Sequence, residues 1–303
     1  MKFLHIGNIC GIPNSIRDAQ IELGHTSKTL SFDPYSDNRY ISDFEYNIPY
    51  SIGRISSAFL RIYILLKMGW NYNVFHFAGN SLANGIDIIL WKLMGKKVII
   101  HYHGSEIRNR KQPFFHKFAD ALFVSTPDLL KFAPGSIWLP NPIHTQNYKQ
   151  ATPSNLLIIT HAPSDPLLKG TTEITFTIKN IQMEIPDLKF DLISGIPYDD
   201  ALDHYSKATI VIDQIKIGWY GMVSLECMAI GVPVVCYISE DLLKYIPENH
   251  PLWVTNEKTF KSDIIYLLNN VDIRNKQIQI GKKYVSSVHN PINIAKKIIQ
   301  EIS

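Results

Sequence analysis

The sequence predicts an α/β architecture of two domains, each a doubly wound parallel sheet covered by helices on both faces. Three observations point to it. Short β-rich runs alternate with longer helical patterns along the chain. That rhythm stops at a polar, proline-rich passage near the middle and then restarts. With 303 residues, 46% hydrophobic and 19% charged, the chain can fill two ordinary cores and is too long for one.

Residues 2–7 read as a buried strand, followed by a glycine turn and a helix over 13–24, with Pro13 at its start and Gly24 past its end. Residues 26–32 alternate as a strand. The stretch 54–69 is amphipathic, with Arg54 and Arg61 seven apart on one helix face. Strands are expected at 74–77, 98–102 and 122–124, with helical segments between them. Pro140-Asn141-Pro142 and Ala151-Thr152-Pro153-Ser154 mark the boundary, giving a first domain over 1–149 and a second over 150–288. The second half then reads as strand 156–160, helix 171–184, strand 189–194, helix 201–206, strand 209–212, helix 221–230 and strand 232–237. Helical segments follow from Lys258. The last, 292–302, carries a free apolar stripe, so 289–303 is expected to pack back on the first domain. Two such domains in tandem favour an active cleft between them.

The longest strongly apolar stretch, 59–66, is interrupted by Arg61 and ends at Lys67, far short of the ~20 residues of a membrane span. No basic–apolar–small-residue leader opens the chain, so the expected location is cytoplasmic. Cys10, Cys227 and Cys236 form no C-x-x-C pair and read as buried, reduced thiols rather than a disulfide frame or zinc site. Residues 1–150 carry 16 Lys and Arg against 10 Asp and Glu, a net +6; residues 151–303 carry 14 against 17, a net −3. The basic half suggests an anionic partner or peripheral contact with the inner membrane face. Nucleic acid is not expected, because no recognition-helix cluster, RNP motif or zinc-finger spacing appears. Arg108, Arg110, Lys111 and Lys117, interleaved with Phe114 and Phe115, read as a solvated face or as a membrane-surface or lipid-linked acceptor patch.

Several chemistries lack their residues. There is no G-x-x-x-x-G-K-[ST], no G-x-G-x-x-G after the first strand, no G-x-S-x-G and no H-E-x-x-H. No Asp-x-Asp pair ends a strand, which disfavours a transferase that grips its nucleotide through a divalent ion.

The sharpest positive feature runs from Gly218 to Val235, GWYGMVSLECMAIGVPVV. A glycine-bearing loop leads into a helix from Gly221 that is apolar almost all round and therefore buried. Glu226 sits within it. A buried carboxylate without a partner costs several kcal/mol, so Glu226 must face a cleft or hold a donor. The functional reading has it accept hydrogen bonds from a ribose diol; the plain one pairs it with a local lysine or amide. A second block, Thr160 to Thr171 (THAPSDPLLKGT), puts Lys169 at a helix start. There it can clamp an anion with the amides of Gly221, Met222 and Val223, or be merely solvated. In the first half, His101-Tyr102-His103-Gly104-Ser105-Glu106-Ile107-Arg108 follows a strand directly. Gly7-Asn8-Ile9-Cys10-Gly11-Ile12-Pro13 forms the first turn, where Gly11 lets backbone approach a ligand.

On these blocks the chain resembles the retaining GT-B glycosyltransferases of glycosyltransferase family 4. The second glutamate of the family's two-glutamate motif falls on Glu226, and Met228-Ala229-Ile230-Gly231-Val232-Pro233-Val234-Val235 matches its tail. Gly218 stands at the first glutamate, and Ser164 at the arginine that precedes the Lys169-Gly170 pair. The resemblance implies two Rossmann-like domains facing across a cleft, no metal and no cofactor beyond a nucleoside-diphosphate sugar as co-substrate. It implies a glycan or lipid-linked acceptor, as in polysaccharide biosynthesis. His103 would contact the donor sugar or act near the acceptor, with Arg108 facing an anionic group; Lys169 would stabilise the departing diphosphate, and Glu226 would bind the ribose. Loss of the first glutamate and the arginine also motivates a non-catalytic nucleotide-sugar-binding partner, and a nucleotide-sugar epimerase is the third reading.

Overall fold

A computed structural model describes residues 1–7, 9–32, 41–46, 54–79, 81–83, 85–152 and 154–303. Asn8 of the first turn and Pro153 of the expected boundary lie outside the described residues. The chain divides into two compact units, Met1–Pro142 with Asn290–Ser303, and Ile143–His289.

The first unit is built on a seven-stranded sheet: β1 (Lys2–Ile6), β2 (Thr26–Ser31), β3 (Phe44–Glu45), β4 (Val74–Ala78), β5 (Lys97–Tyr102), β6 (Ala121–Val124) and β7 (Ile137–Trp138). The order is β3-β2-β1-β4-β5-β6-β7, every pairing parallel. Among the described residues, α1 (Ile12–Glu22), α2 (Arg54–Gly69) and α3 (Ile86–Leu93) connect strands of this sheet. Side chains alternate along each strand, so each strand feeds two cores. Leu4, Ile6, Phe75, Phe77, Val98 and Ile100 pack on one face with Ile64 and Leu65 of α2 and Trp91 of α3. Phe3, Val74, Ile99 and Phe123 pack on the other with Ile12 and Ile16 of α1 and with Ile294, Ile298 and Ile302. Those last three belong to the helix α10 (Pro291–Ile302), which completes this unit.

The second unit has a five-stranded parallel sheet of β8 (Ile158–His161), β9 (Lys189–Leu192), β10 (Ile210–Ile212), β11 (Val234–Tyr237) and β12 (Trp253–Thr255). Its order is β12-β11-β10-β8-β9. Its helices are α4 (Pro166–Lys169), α5 (Thr171–Glu184), α6 (Tyr198–Lys207), α7 (Met222–Ile230), α8 (Phe260–Asn269) and α9 (Val271–Val288). Ile174, Ile178 and Ile181 of α5 and Ile264 and Leu267 of α8 seal one face of this sheet. The α/β class with two parallel sheets is therefore as predicted.

One burial expectation fails. Cys227 and Cys236 are buried, whereas Cys10 is exposed, because the turn after β1 carries it outward at φ 51°. No described helix is long and apolar enough to cross a membrane.

Candidate functional site

In the second sheet β8 and β10 are neighbours, but the chain leaves β8 for β9 on one side and β10 for β11 on the other. Such a switch point opens a crevice at the carboxyl ends of the two strands. Lys169 follows β8 and Asp213 follows β10.

The β8 connection is shaped to deliver Lys169. Asp165 caps the single turn α4, its carboxylate accepting from the amides of Leu167 and Leu168 at 3.0 Å each. Gly170 then adopts a left-handed φ of 78°, where a Cβ would lie 2.6 Å from Ile215 Cγ1. The Ile215 amide donates to the Lys169 carbonyl at 3.1 Å. So fastened, the buried Lys169 directs its ammonium onto Asp213 Oδ1. Asp213 Oδ2 accepts from the Gly221 amide at 2.7 Å and the Ser224 hydroxyl at 2.6 Å. Burial alone would push this carboxyl up, but the Lys169 charge and the three donors outweigh it and hold it below the ordinary range.

Lys169 thus stands at the start of α7: a Cβ on Gly221 would be 3.7 Å from Lys169 Nζ. Two details differ from the sequence expectation. The ammonium is not free but paired with an internal carboxylate, and the Gly221 amide is taken by that same carboxylate. Asp213 lies 44 residues from Lys169, so only the strand order brings them together. Among the described residues the first-turn amides of Met222 and Val223 make no hydrogen bond. These are the helix-start donors left for an anion.

Glu226 is buried in α7, and the Tyr198 hydroxyl of α6 donates to its Oε1 at 2.8 Å. Tyr148 lies beside, its hydroxyl 3.1 Å from that of Tyr198. The Tyr198 hydroxyl is thus one donor that meets the requirement set by burial.

Gly218, at the position of the missing glutamate, has φ 85°, and a Cβ there would lie 3.1 Å from Ser239 Oγ and 3.2 Å from Ser239 Cβ. Gln214 fixes this loop, accepting from the amides of Lys216 and Ile217 at 2.7 Å each and donating to the Trp219 and Tyr237 carbonyls at 3.1 and 2.7 Å. The backbone is set for glycine. Gly218→Glu is expected to lower unfolding free energy by about 1–3 kcal/mol, read from denaturant midpoints; an unchanged midpoint would show that the loop tolerates a side chain.

In the first unit Gly11 caps α1 with a left-handed φ of 69°. Gly7 of the same turn is pressed on β4, since a Cβ would lie 3.0 Å from the Ala78 carbonyl oxygen. His103 lies just past β5. Its amide donates to the Glu106 carboxylate, and its Nδ1 shares the Ser125 hydroxyl, at 2.6 Å, with His101 Nε2 at 3.0 Å. His103 Nε2 is buried with no partner among the described residues. The anionic group that Arg108 faces is internal: its Nε and Nη2 donate to Asp128 Oδ2 at 3.1 and 2.8 Å. Nor do the neighbouring aromatics form one patch, because Phe114 is exposed while Phe115 is buried.

His103 ends a row of imidazoles that no sequence pattern announced. The β1–β4 register sets His5 against His76, and the β4–β5 register sets His76 against Ile99, two residues before His101 on β5. Ring centroids are 4.8 Å apart for His5–His76, 5.5 Å for His76–His101 and 4.3 Å for His101–His103. Gln20 accepts from His5 Nε2 at 2.9 Å, but neither nitrogen of His76 has a partner among the described residues. Burial pushes His5 and His103 down to about 4, and His76 and His101 well below the ordinary 6.5.

Asp213, Ser224, Tyr198, Gln214 and Ser125 all escaped the sequence reading. Asp213 alone left a trace there, as an acid closing an apolar strand.

No protein-family model matches the sequence, and no curated protein matches it. Solved structures do share the fold. Sucrose-phosphate synthase from Thermosynechococcus elongatus is 13% identical with TM-score 0.69, covering 99% of this chain and 98% of its own. Anabaena HepE in complex with UDP and glucose is 13% identical with TM-score 0.71, covering 99% and 98%. UDP-GlcNAc 2-epimerase from Neisseria meningitidis, bound to UDP-GlcNAc, is 12% identical with TM-score 0.61, covering 100% and 99%. The fold is that of the GT-B glycosyltransferases along the full chain.

Proposed function

We propose that the chain is a retaining glycosyltransferase, needing no metal, that moves a sugar from a nucleoside-diphosphate sugar to a glycan or lipid-linked acceptor. The observation that carries this reading is one helix start. Lys169, the unpaired amides of Met222 and Val223, and the carboxylate of Glu226 gather about α7.

As the glycosidic bond to the diphosphate breaks, negative charge grows on the departing oxygens. Helix-start amides and a buried ammonium can receive that charge without reorganising. An ammonium has three N–H donors, and the bond to Asp213 uses one of them. Asp213 acts as a positioning residue, tying Lys169 and the first turn of α7 into one body. Glu226 follows Met222 by four residues, so both lie on one side of the helix. There the carboxylate accepts from ribose hydroxyls, with Tyr198 holding it until the nucleotide arrives. His103, kept neutral at pH 7 by its depressed pKa, would contact the donor sugar or act near the acceptor as a neutral imidazole. The motif resemblance and the fold shared with HepE, solved with UDP and glucose, support a nucleoside diphosphate as the ligand.

Fold likeness to an epimerase bound to UDP-GlcNAc favours a second reading, nucleotide-sugar epimerisation. The internal pairing of Lys169, with Gly218 and Ser164 where the family has charged residues, favours a third, nucleotide-sugar binding without turnover. Incubation with a panel of nucleotide sugars separates them: slow donor hydrolysis marks the transferase, a change of sugar configuration the epimerase, and binding alone the third. Glu226→Ala is expected to weaken nucleoside-diphosphate binding by about tenfold or more, the value of a charged hydrogen bond. Titration calorimetry reads this directly, and wild-type affinity would remove Glu226 from the ribose.

A further inference from the structure

The solvent side of α2 has the wrong composition for solvent. Ile55, Phe59 and Tyr63 recur every fourth residue and so share a face. They are 75%, 69% and 61% exposed, and Trp70, directly after the helix, is 70% exposed. The opposite face is satisfied, with Ile64 and Leu65 buried in the sheet core. Scattered apolar residues on a surface need no explanation, but a continuous stripe of this size marks a docking face.

Charge says what docks there. From residue 46 to residue 86 the sequence holds no Asp or Glu, and the charged residues of α2 are Arg54, Arg61 and Lys67. Lys67 is exposed next to the stripe. Lys96 donates to the backbone carbonyls of Trp70 and Tyr72 at 3.1 and 2.7 Å, setting a second ammonium at the carboxyl end of α2. Large apolar side chains, a Trp and a Tyr, and charge of one sign are what an amphipathic helix needs to lie in the headgroup layer of an anionic bilayer. We propose that α2, with Trp70, is a membrane-docking face that seats the first unit on an anionic lipid surface. Phe59, Tyr63 and Trp70 enter the interface, and Lys67 meets lipid phosphates. The basic run at 108–117 is not the contact, since Arg108 is spent on Asp128 and Phe115 is buried.

Co-sedimentation of the full chain with phosphatidylcholine vesicles, with and without phosphatidylglycerol, tests this. Binding is expected only to the anionic vesicles, and raised salt should release it. Phe59→Asp combined with Tyr63→Asp should reduce that binding at least about tenfold with an unchanged melting temperature. Lys67→Glu, which leaves the stripe intact, should weaken binding to the anionic vesicles. Trp70→Phe should remove a vesicle-induced blue shift in fluorescence. Failure to bind either vesicle, or equal binding by the double variant, would overturn the proposal. So would lipid-free self-association of the wild type that the double variant abolishes, since the stripe would then be an interface between copies of the chain.

Discussion

Lys169→Ala is expected to lower the unfolding free energy of the second unit by about 3–5 kcal/mol, as well as to slow turnover. Removing the ammonium strands the wholly buried Asp213 carboxylate, and breaking a buried pair from one side costs that much. The residual donors, the Gly221 amide and the Ser224 hydroxyl, soften the loss without cancelling the charge. Asp213→Asn keeps the shape and leaves Lys169 as the stranded partner. The double variant Lys169→Met with Asp213→Asn removes both charges, so its cost should fall short of the summed single costs by about 2 kcal/mol or more. Chemical denaturation of the four proteins checks the cycle, and additive costs would show that the pair is not coupled. Because the double variant should fold, it also isolates catalysis. If Lys169 stabilises the leaving group, that protein turns over about a hundredfold more slowly or worse while remaining native.

Acid should unfold the first unit well above the carboxylate range. Unfolded histidines take up a proton near 6.5, whereas His5 and His103 in the native sheet do so only at about 4. Between those pH values protons bind the unfolded chain alone, so stability is fully present above 6.5 and drains away as pH falls towards 4. Each of these two histidines contributes roughly 3 kcal/mol to that loss. His76 and His101 act in the same direction. In the second unit burial lowers His161 in the same direction, and Asp213, held low by Lys169, loses its contribution only below the ordinary carboxylate range. Hydrogen exchange across a pH series should show β1, β4 and β5 losing protection before β8, β10 and β11. His76→Leu should move the first transition to lower pH. Simultaneous loss in both sheets would show that the imidazole row does not govern acid stability.

How much of this was legible in the sequence depended on distance along the chain. The helices at 54–69 and 171–184 match α2 and α5 at both ends, because long amphipathic patterns declare their own period. β3 and β12 went unread; at two and three residues they carry no alternation to detect and exist only by pairing with a neighbour. Burial of α7 followed from its composition, and the need of Glu226 for a donor followed from burial, yet Tyr198 lies on another helix 28 residues earlier. Lys169 was singled out for its place before Gly170, but its partner depends on β8 and β10 being adjacent. The imidazole row needed the register of three parallel strands, which no local pattern encodes.

The return of α10 to the first sheet makes the first unit discontinuous in the gene. A fragment ending at Pro142 would leave Phe3, Val74 and Ile99 without the Ile294, Ile298 and Ile302 that cover them. During synthesis the second unit is fully emitted by His289, while the first must wait for residues 290–303. A premature stop just after His289 would therefore strike the half of the molecule that was translated first.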